Sequence, residues 1–345
     1  MKLTTIATAL AAFWVVSGSP VETLEDQALE QTEGVKDLSG VEEWDIEKPK
    51  VKRAYIFAFG DSYTRTGWDP TCEVPTDENP IANPLPGITS SGGLNWLGFL
   101  VSVFNDHPIW LYNYARGGAV VKRELVSTKE KPVKESTMDF VIQVDMFVNA
   151  VGHKPDWAPW DSSNGIAAIW VGGNDIFRTF ALANLDVHKE VVAEYINQVN
   201  RMYKVGVRKF IFLNIGPTYL TPLRNFPETR DYQKRAFAVD DMNELLTVAF
   251  AEYAKKVGDI KYKFVSTYGA FVTAFQNPHE FGAKNNSCFG HATECLWWNK
   301  YHPAIEINKL VAIDIVKTWD GPPFHCPDSV KACTSTPAPT PMKHY

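Results

Sequence analysis

A serine just past an apolar segment is the first residue of this chain suited to chemistry. Residues 54–59 are apolar and aromatic, as in a buried strand, and Gly60, Asp61 and Ser62 come next. A glycine permits the tight turn that would leave Ser62 exposed as a nucleophile. The same three residue types are also typical of an ordinary turn at the end of a strand. Ser62 is therefore a candidate that needs partners elsewhere in the chain.

Two later turns could supply hydrogen-bond donors for acyl transfer, which requires donors directed at the developing oxyanion. The candidate donors are the backbone N–H groups of Ser62 and Gly118 and the side-chain amide of Asn174. Glycine allows a close backbone approach, and asparagine offers an N–H without a charge. As alternatives, Gly118 belongs to a purely structural turn and Asn174 to an Asx turn.

The base of such a site should be a histidine, and His302 is the best placed candidate. The eight histidines are His107, His153, His188, His279, His291, His302, His325 and His344. His302 lies in the loop before the last predicted helix, from which a late residue could fold back over a sheet. The alternative is a structural or surface histidine.

Alternating apolar and amphipathic segments predict the elements that position these residues. Strands are predicted at 54–59, 109–114, 166–171, 209–215 and 262–266, and helices at 94–104, 138–151, 191–205, 232–257 and 303–319, the last with Pro303 in its first turn. Residues 68–92 and 270–298 are expected to be loops. This order predicts an α/β fold, a three-layer α/β/α sandwich with a mostly parallel five-stranded sheet. Sites in such sheets form beyond the carboxyl ends of the strands, where Ser62, Gly118 and Asn174 all fall.

Four segments, at residues 59–62, 113–119, 172–175 and 301–303, resemble the ordered blocks of the SGNH/GDSL hydrolases. Residues 87–96 further resemble the fungal carbohydrate esterases of family 16. The resemblance implies an SGNH/flavodoxin-like fold over residues 54–320 and a carboxylic ester hydrolase. It also implies Ser62 as nucleophile, Gly118 and Asn174 in the oxyanion hole, His302 as base, and acetyl groups on sugars as the target.

One position departs from the family pattern, which usually has an aspartate three residues before the histidine. Here that residue is Asn299. A carboxylate fixes the tautomer of the base, and its replacement by asparagine in a serine protease costs about 10⁴ in rate. The Asn299 carbonyl could still accept the ring N–H of His302. A backbone carbonyl, a distant acid or a slow enzyme are the other possibilities.

The two ends of the chain differ from its body. Residues 1–18 have the pattern of a signal peptide, and residues 19–53 form an acidic segment, expected to be disordered or a propeptide. Residues 321–345 form a Cys-containing tail rich in Ser, Thr and Pro. We therefore expect a secreted protein without a membrane span, and a monomer. The net charge of the whole chain is −6, and residues 19–50 alone carry −7, so the body is electrically balanced. A balanced body argues against nucleic acid as a partner.

The five cysteines predict disulfides, as in other secreted chains. Cys288 with Cys295 and Cys326 with Cys333 are the economical pairs, which leaves Cys72 buried or free. No spacing suggests a metal site, and no cofactor is expected. Asn285 begins a glycosylation sequon.

The favoured function is a secreted serine esterase that removes short acyl groups, acetyl foremost, from carbohydrates such as acetylated xylo-oligosaccharides. Trp297, Trp298 and Tyr301 beside the predicted base could form a surface for stacking a sugar ring, or could belong to the core. The first alternative is a lipid acyl hydrolase or acyltransferase on the same fold. The second is a carbohydrate-binding relative without catalysis, which the aspartate-to-asparagine departure suggests.

Overall fold

Five short strands form one sheet in the part of the chain that the computed structural model describes, residues 53–226 and 231–330. They are β1 (Ala54–Gly60), β2 (Ile109–Asn113), β3 (Gly165–Trp170), β4 (Lys209–Leu213) and β5 (Lys261–Val265). Their order is β2-β1-β3-β4-β5, and every neighbouring pair is parallel. The predicted five-stranded sheet is confirmed, and β1 has a strand on each side.

Eight α-helices accompany this sheet within the described ranges. They are α1 (Trp96–Ser102), α2 (Arg123–Val126), α3 (Phe140–Asn149), α4 (Gly173–Thr179), α5 (Val187–Lys204), α6 (Tyr232–Val257), α7 (Tyr268–Gln276) and α8 (Ile305–Thr318). None of them combines the length and the apolar character that crossing a bilayer requires.

The alternation of side chains along β1 divides the core into two clusters. Tyr55, Phe57 and Phe59 pack with α3, α5 and α6, whereas Ile56 and Ala58 pack with α1, α7 and α8. Successive side chains of a strand point to opposite faces, so the sheet carries a helical layer on each side. The predicted α/β/α sandwich is confirmed, and all seven residues of β1 are buried.

The predictions from the sequence missed three helices and placed the starts of α1, α3, α5 and α8 two to four residues from where they lie. Helices α2 and α4 are too short for a helical periodicity to be recognised in the sequence. Helix α7 occupies part of the segment 270–298, which was expected to be a loop. Most positions of α7 are apolar, which hides a helical pattern. Helix α8 begins at Ile305 after the N-cap residue Ala304, so Pro303 precedes it rather than lying in its first turn. Residues 68–92 contain no helix or strand, as predicted.

The structure joins Cys288 and Cys295 in a disulfide, as predicted, and leaves Cys72 exposed and free. Cys326 is disulfide-bonded, while its predicted partner Cys333 lies outside the described residues. Asn285 is exposed. The predicted signal peptide, the acidic segment up to residue 52 and tail residues 331–345 also lie outside the described residues.

Candidate active site

The turn that presents Ser62 depends on the glycine before it. Gly60 has φ +154°, and a Cβ there would lie 2.3 Å from the carbonyl oxygen of Trp170 on the neighbouring strand. A side chain is therefore excluded by conformation and by space. The carbonyl of Asp61 then accepts hydrogen bonds from the N–H groups of Thr64 and Arg65, which closes the turn around Ser62.

A buried glutamine of α3 holds the same glycine from the other side. The Gly60 N–H donates to Gln143 Oε1, and Gln143 Nε2 donates to the Gly60 carbonyl, both at 2.9 Å. Gln143 is fully buried and lies on the apolar face of α3, with Phe140, Val144 and Phe147. Gln143 was not predicted from the sequence, although an amide at a position with core spacing was a usable signal.

Ser62 and His302 meet at the carboxyl end of β1. The Ser62 Oγ lies 2.7 Å from His302 Nε2, a hydrogen-bond distance. The loop that carries His302 is fixed by the Trp298 N–H, which donates to the His302 carbonyl at 2.8 Å, and by the Tyr63 hydroxyl, which donates to the Tyr301 carbonyl. The structure thus brings together the predicted nucleophile and base.

Asn299 lies against the other ring nitrogen of His302. Its Oδ1 is 3.1 Å and its Nδ2 2.8 Å from His302 Nδ1, and its Oδ1 also accepts the N–H groups of Tyr301 and His302. If Nδ1–H donates to Oδ1, Nε2 is free to accept the serine proton. If Nδ2 donates to Nδ1, the ring proton sits on Nε2 instead. An amide permits both tautomers, whereas a carboxylate would permit only the first.

The surroundings of His302 favour its neutral form. Burial, together with the positive charge of Arg65, lowers the pKa of His302 to about 4. No carboxylate compensates, because the residue at hydrogen-bond distance from Nδ1 is Asn299. The imidazole therefore stays neutral, and able to accept the serine proton, from about pH 4 upward.

The predicted oxyanion donors lie around Ser62. Gly118 follows β2 with φ +78°, and no atom approaches within 4 Å of where its Cβ would be. Among the described residues, the N–H groups of Ser62 and Gly118 have no hydrogen-bond acceptor. Asn174 Nδ2 donates to the Ala119 carbonyl at 2.9 Å and to Asp61 Oδ2 at 3.2 Å. Two backbone donors without an acceptor and one occupied amide thus belong to residues that line the same cavity.

Two buried carboxyl groups flank this amide, and no role was predicted for either of them from the sequence. Asp61 accepts from the Tyr63 N–H, and Asp175 accepts from the Val121 N–H through both oxygens. Burial raises the pKa of Asp61 and of Asp175 to about 7. Both residues fix backbone beside the site, and neither contacts His302.

A cavity of about 680 Å³ opens over these groups, and its lining includes Ser62, Gly118, Asn174 and His302. Trp298 and Tyr301 also line it, with 39% and 48% of their surface exposed. The structure corrects the prediction for Trp297, which is fully buried and donates its indole N–H to the Asn286 carbonyl at 2.9 Å. Trp297 is a core residue and cannot stack on a ligand.

His188 forms a second triad-like arrangement, with Asp241 at 2.6 Å from Nδ1 and Thr179 at 2.8 Å from Nε2. Thr179 and His188 are both buried, and the Thr179 hydroxyl donates to the Asp175 carbonyl. This hydroxyl cannot reach a substrate, so the arrangement is structural. Within the described ranges, no group of three or more His, Cys, Asp or Glu residues could hold a metal ion.

Comparison with known proteins identifies the family of this chain. Residues 56–315 match the family model of the GDSL-like lipases and acylhydrolases. An acetylesterase of Thermothelomyces thermophilus is 39% identical over 79% of this chain and 90% of its own length. An acetylesterase of Hypocrea jecorina is 22% identical over 79% of this chain and 91% of its own.

Solved structures match more distantly. An acetyl-xylooligosaccharide esterase from Geobacillus covers 77% of this chain and 93% of its own, at 16% identity and a TM-score of 0.42. The family match and the fungal relative at 39% identity establish the family. The chain belongs to the GDSL-like lipases and acylhydrolases and is a carboxylic ester hydrolase.

Proposed function

We propose that the protein is a secreted serine esterase that removes acetyl groups from carbohydrates through an acyl-enzyme on Ser62. The observation that carries this proposal is the hydrogen bond of 2.7 Å between Ser62 Oγ and His302 Nε2, two residues that line an open cavity. A nucleophile in contact with a neutral base is the arrangement that acyl transfer requires.

In the first half of the reaction, Ser62 Oγ bonds to the acyl carbon and passes its proton to His302 Nε2. The carbonyl oxygen becomes an oxyanion, which the N–H groups of Ser62 and Gly118 stabilise. Asn174 joins them by giving up its longer hydrogen bond, the one to Asp61 at 3.2 Å. The bond to the sugar oxygen then breaks, and His302 returns the proton to that leaving oxygen.

In the second half, water attacks the acyl-enzyme carbonyl and His302 accepts the proton of that water. The tetrahedral intermediate collapses, the bond to Ser62 Oγ breaks, and His302 returns the proton to the serine. The products are a carboxylic acid and regenerated enzyme. Asn299 is proposed as the positioning residue for His302, since its Oδ1 is the acceptor for the Nδ1–H that this cycle needs.

One feature supports a sugar as the alcohol part of the substrate, and another supports acetyl as its acyl part. The exposed faces of Trp298 and Tyr301 border the cavity next to His302, and aromatic rings that combine an apolar face with a polar edge suit a sugar. The relative with 39% identity is an acetylesterase.

Secretion is supported by the signal-like residues 1–18 and by the disulfide between Cys288 and Cys295, a bond that persists in oxidising compartments.

The test is acetate release from acetylated xylo-oligosaccharides, compared with hydrolysis of 4-nitrophenyl esters of increasing acyl length. We expect Ser62→Ala and His302→Ala each to lower kcat by about 10⁶-fold, because a coupled nucleophile and base act as one unit. The matched controls are Ser162→Ala and His279→Ala, two exposed positions outside the cavity, with unchanged kcat expected.

Three results would contradict parts of this proposal. Faster hydrolysis of long-chain than of acetyl esters would indicate a lipid acyl hydrolase. Wild-type turnover in Ser62→Ala would remove the nucleophile assignment. Sugar binding without any ester hydrolysis would indicate a binding protein. Thermal unfolding of each variant shows whether a loss of activity reflects chemistry or folding.

A further inference from the structure

The charged side chains of the active-site cavity are mainly cationic. Arg65, Arg178 and Arg235 all line it, whereas Asp61 is its one carboxyl group among the described residues. Asp61 is buried and bound to the Tyr63 N–H and the Asn174 amide, so it is not available to pair with an arginine. The cavity therefore presents a positive field to whatever enters it.

Two of these arginines have partners within the protein. Arg178 Nη1 donates to the carbonyl of Lys131, outside the reacting centre. Arg235 is almost fully buried, with its Nη1 3.4 Å from the Thr218 carbonyl and its guanidinium over the ring of Phe180. Both contribute charge, and each uses part of its guanidinium in a contact within the protein.

Arg65 differs, because its guanidinium makes no hydrogen bond or ion pair with the described residues, and its Nε is buried without a partner. Its Nη1 would lie 3.7 Å from a Cβ on Gly117, so it reaches the loop that carries Gly118. It is also close enough to repel a proton on His302. An unpaired guanidinium between the oxyanion loop and the base is unusual, since native proteins satisfy buried donors.

We propose that Arg65 binds a carboxylate carried by the substrate, so that the preferred substrates are acetylated acidic sugars, with a uronic acid unit at or beside the ester. This rests on the carbohydrate esterase function proposed above. The planar guanidinium fork matches a carboxylate with two parallel hydrogen bonds, and it lies in the cavity that holds Ser62. A neutral sugar would leave those donors and that charge unused.

The experiment compares two esters that differ at one carbon, an acetylated methyl galacturonoside and the corresponding acetylated methyl galactoside. Acetate release is measured at pH 8, where His302 is neutral, and the quantity of interest is the ratio of the two kcat/KM values. We expect the wild type to prefer the uronate. The ratio should fall by about 10- to 100-fold in Arg65→Gln, the usual effect of losing a hydrogen bond to a charged group. Arg65→Lys should retain part of the preference.

Arg208→Gln is the matched control, since Arg208 pairs with Asp259 and does not line the cavity. Its ratio should equal that of the wild type. The released acetate carries the same carboxylate group, so inhibition by sodium acetate and by unesterified methyl galacturonoside forms a second arm. We expect the galacturonoside to inhibit more strongly, and Arg65→Gln to remove the difference.

Several results would overturn the inference. One is a wild-type enzyme that hydrolyses both esters equally well. Another is an equal loss on both esters in Arg65→Gln, which would assign Arg65 to the transition state. A third is an inhibition that depends on Arg65 for acetate but not for the galacturonoside, which would make Arg65 a binding site for the product acetate. If the wild type cleaves 4-nitrophenyl acetate but neither sugar ester, the carbohydrate function itself fails, and that outcome is distinct from the other three.

Discussion

Replacing Asn299 by aspartate would place a carboxylate 2.8–3.1 Å from His302 Nδ1, where the amide lies now. The N–H groups of Tyr301 and His302, which donate to Oδ1, would keep their acceptor. The carboxylate can only accept from the ring, so His302 would hold its proton on Nδ1 and present Nε2 to Ser62. We expect kcat at pH 8 to rise, with the factor of about 10⁴ that the reverse change costs a serine protease as the upper limit.

The same substitution should move the pH profile. For unit charges about 4 Å apart at an effective dielectric constant of about 20, Coulomb's law gives about 4 kcal/mol. That would raise the pKa of His302 by about 3. Asn299 is partly exposed, so solvent screening reduces the increase to about 2. The pKa of His302 would then rise from about 4 to about 6.

The assay is kcat/KM for 4-nitrophenyl acetate between pH 3.5 and 9, since its acid limb reports the base of the free enzyme. The lowered pKa of His302 means that the wild type keeps its neutral imidazole, and its activity, down to about pH 4. In Asn299→Asp the acid limb should lie near pH 6. Asn184→Asp is the control, because Asn184 Oδ1 also accepts the N–H two residues on, at an exposed site outside the cavity. An acid limb that stays in place in Asn299→Asp would refute the coupling of residue 299 to the base.

Three further predictions concern the groups around Ser62. Asn174→Ala should lower kcat by about 10²–10³-fold with a smaller effect on KM, the loss typical of one oxyanion donor, and steady-state kinetics checks it. Gly60→Ala should destabilise the fold by about 3 kcal/mol in urea unfolding, because its Cβ would lie 2.3 Å from the Trp170 carbonyl at a φ of +154°. The raised pKa of about 7 for Asp61 and Asp175 means that the folded state binds more protons than the unfolded chain above about pH 4. Stability from these groups should therefore fall as the pH rises from about 4 through 7. Melting temperatures of the wild type should show a larger fall over this range than those of Asp175→Asn.

The strands and the proposed catalytic pair, Ser62 and His302, were predictable because their signals are local. Residues 54–59 are apolar without interruption, as a strand buried on both faces requires. Ser62 and His302 follow recognisable segments, and the structure places them in contact. The fold class followed from the alternation of elements alone.

The rest depends on contacts that leave no local pattern. Trp297 and Trp298 are consecutive in an irregular loop, where no periodicity tells which one is buried. Gln143 acts on a glycine 83 residues away, and the isolation of Arg65 appears only when all its neighbours are in place. Asp61 was visible in the sequence, but its burial was not, and burial is what raises its pKa to about 7.

The proposed nucleophile and its base are 240 residues apart in the chain, yet their side chains are in contact. Strand β1 is synthesised before the other four strands, and its hydrogen-bonding neighbours in the sheet are β2 and β3. Neither edge of β1 is therefore paired until those later strands have been synthesised. Closing so long a loop costs conformational entropy before the contact is gained. During synthesis, Ser62 therefore remains an ordinary hydroxyl until residue 302 has emerged and docked. Hydrolytic activity thus marks molecules that have completed folding.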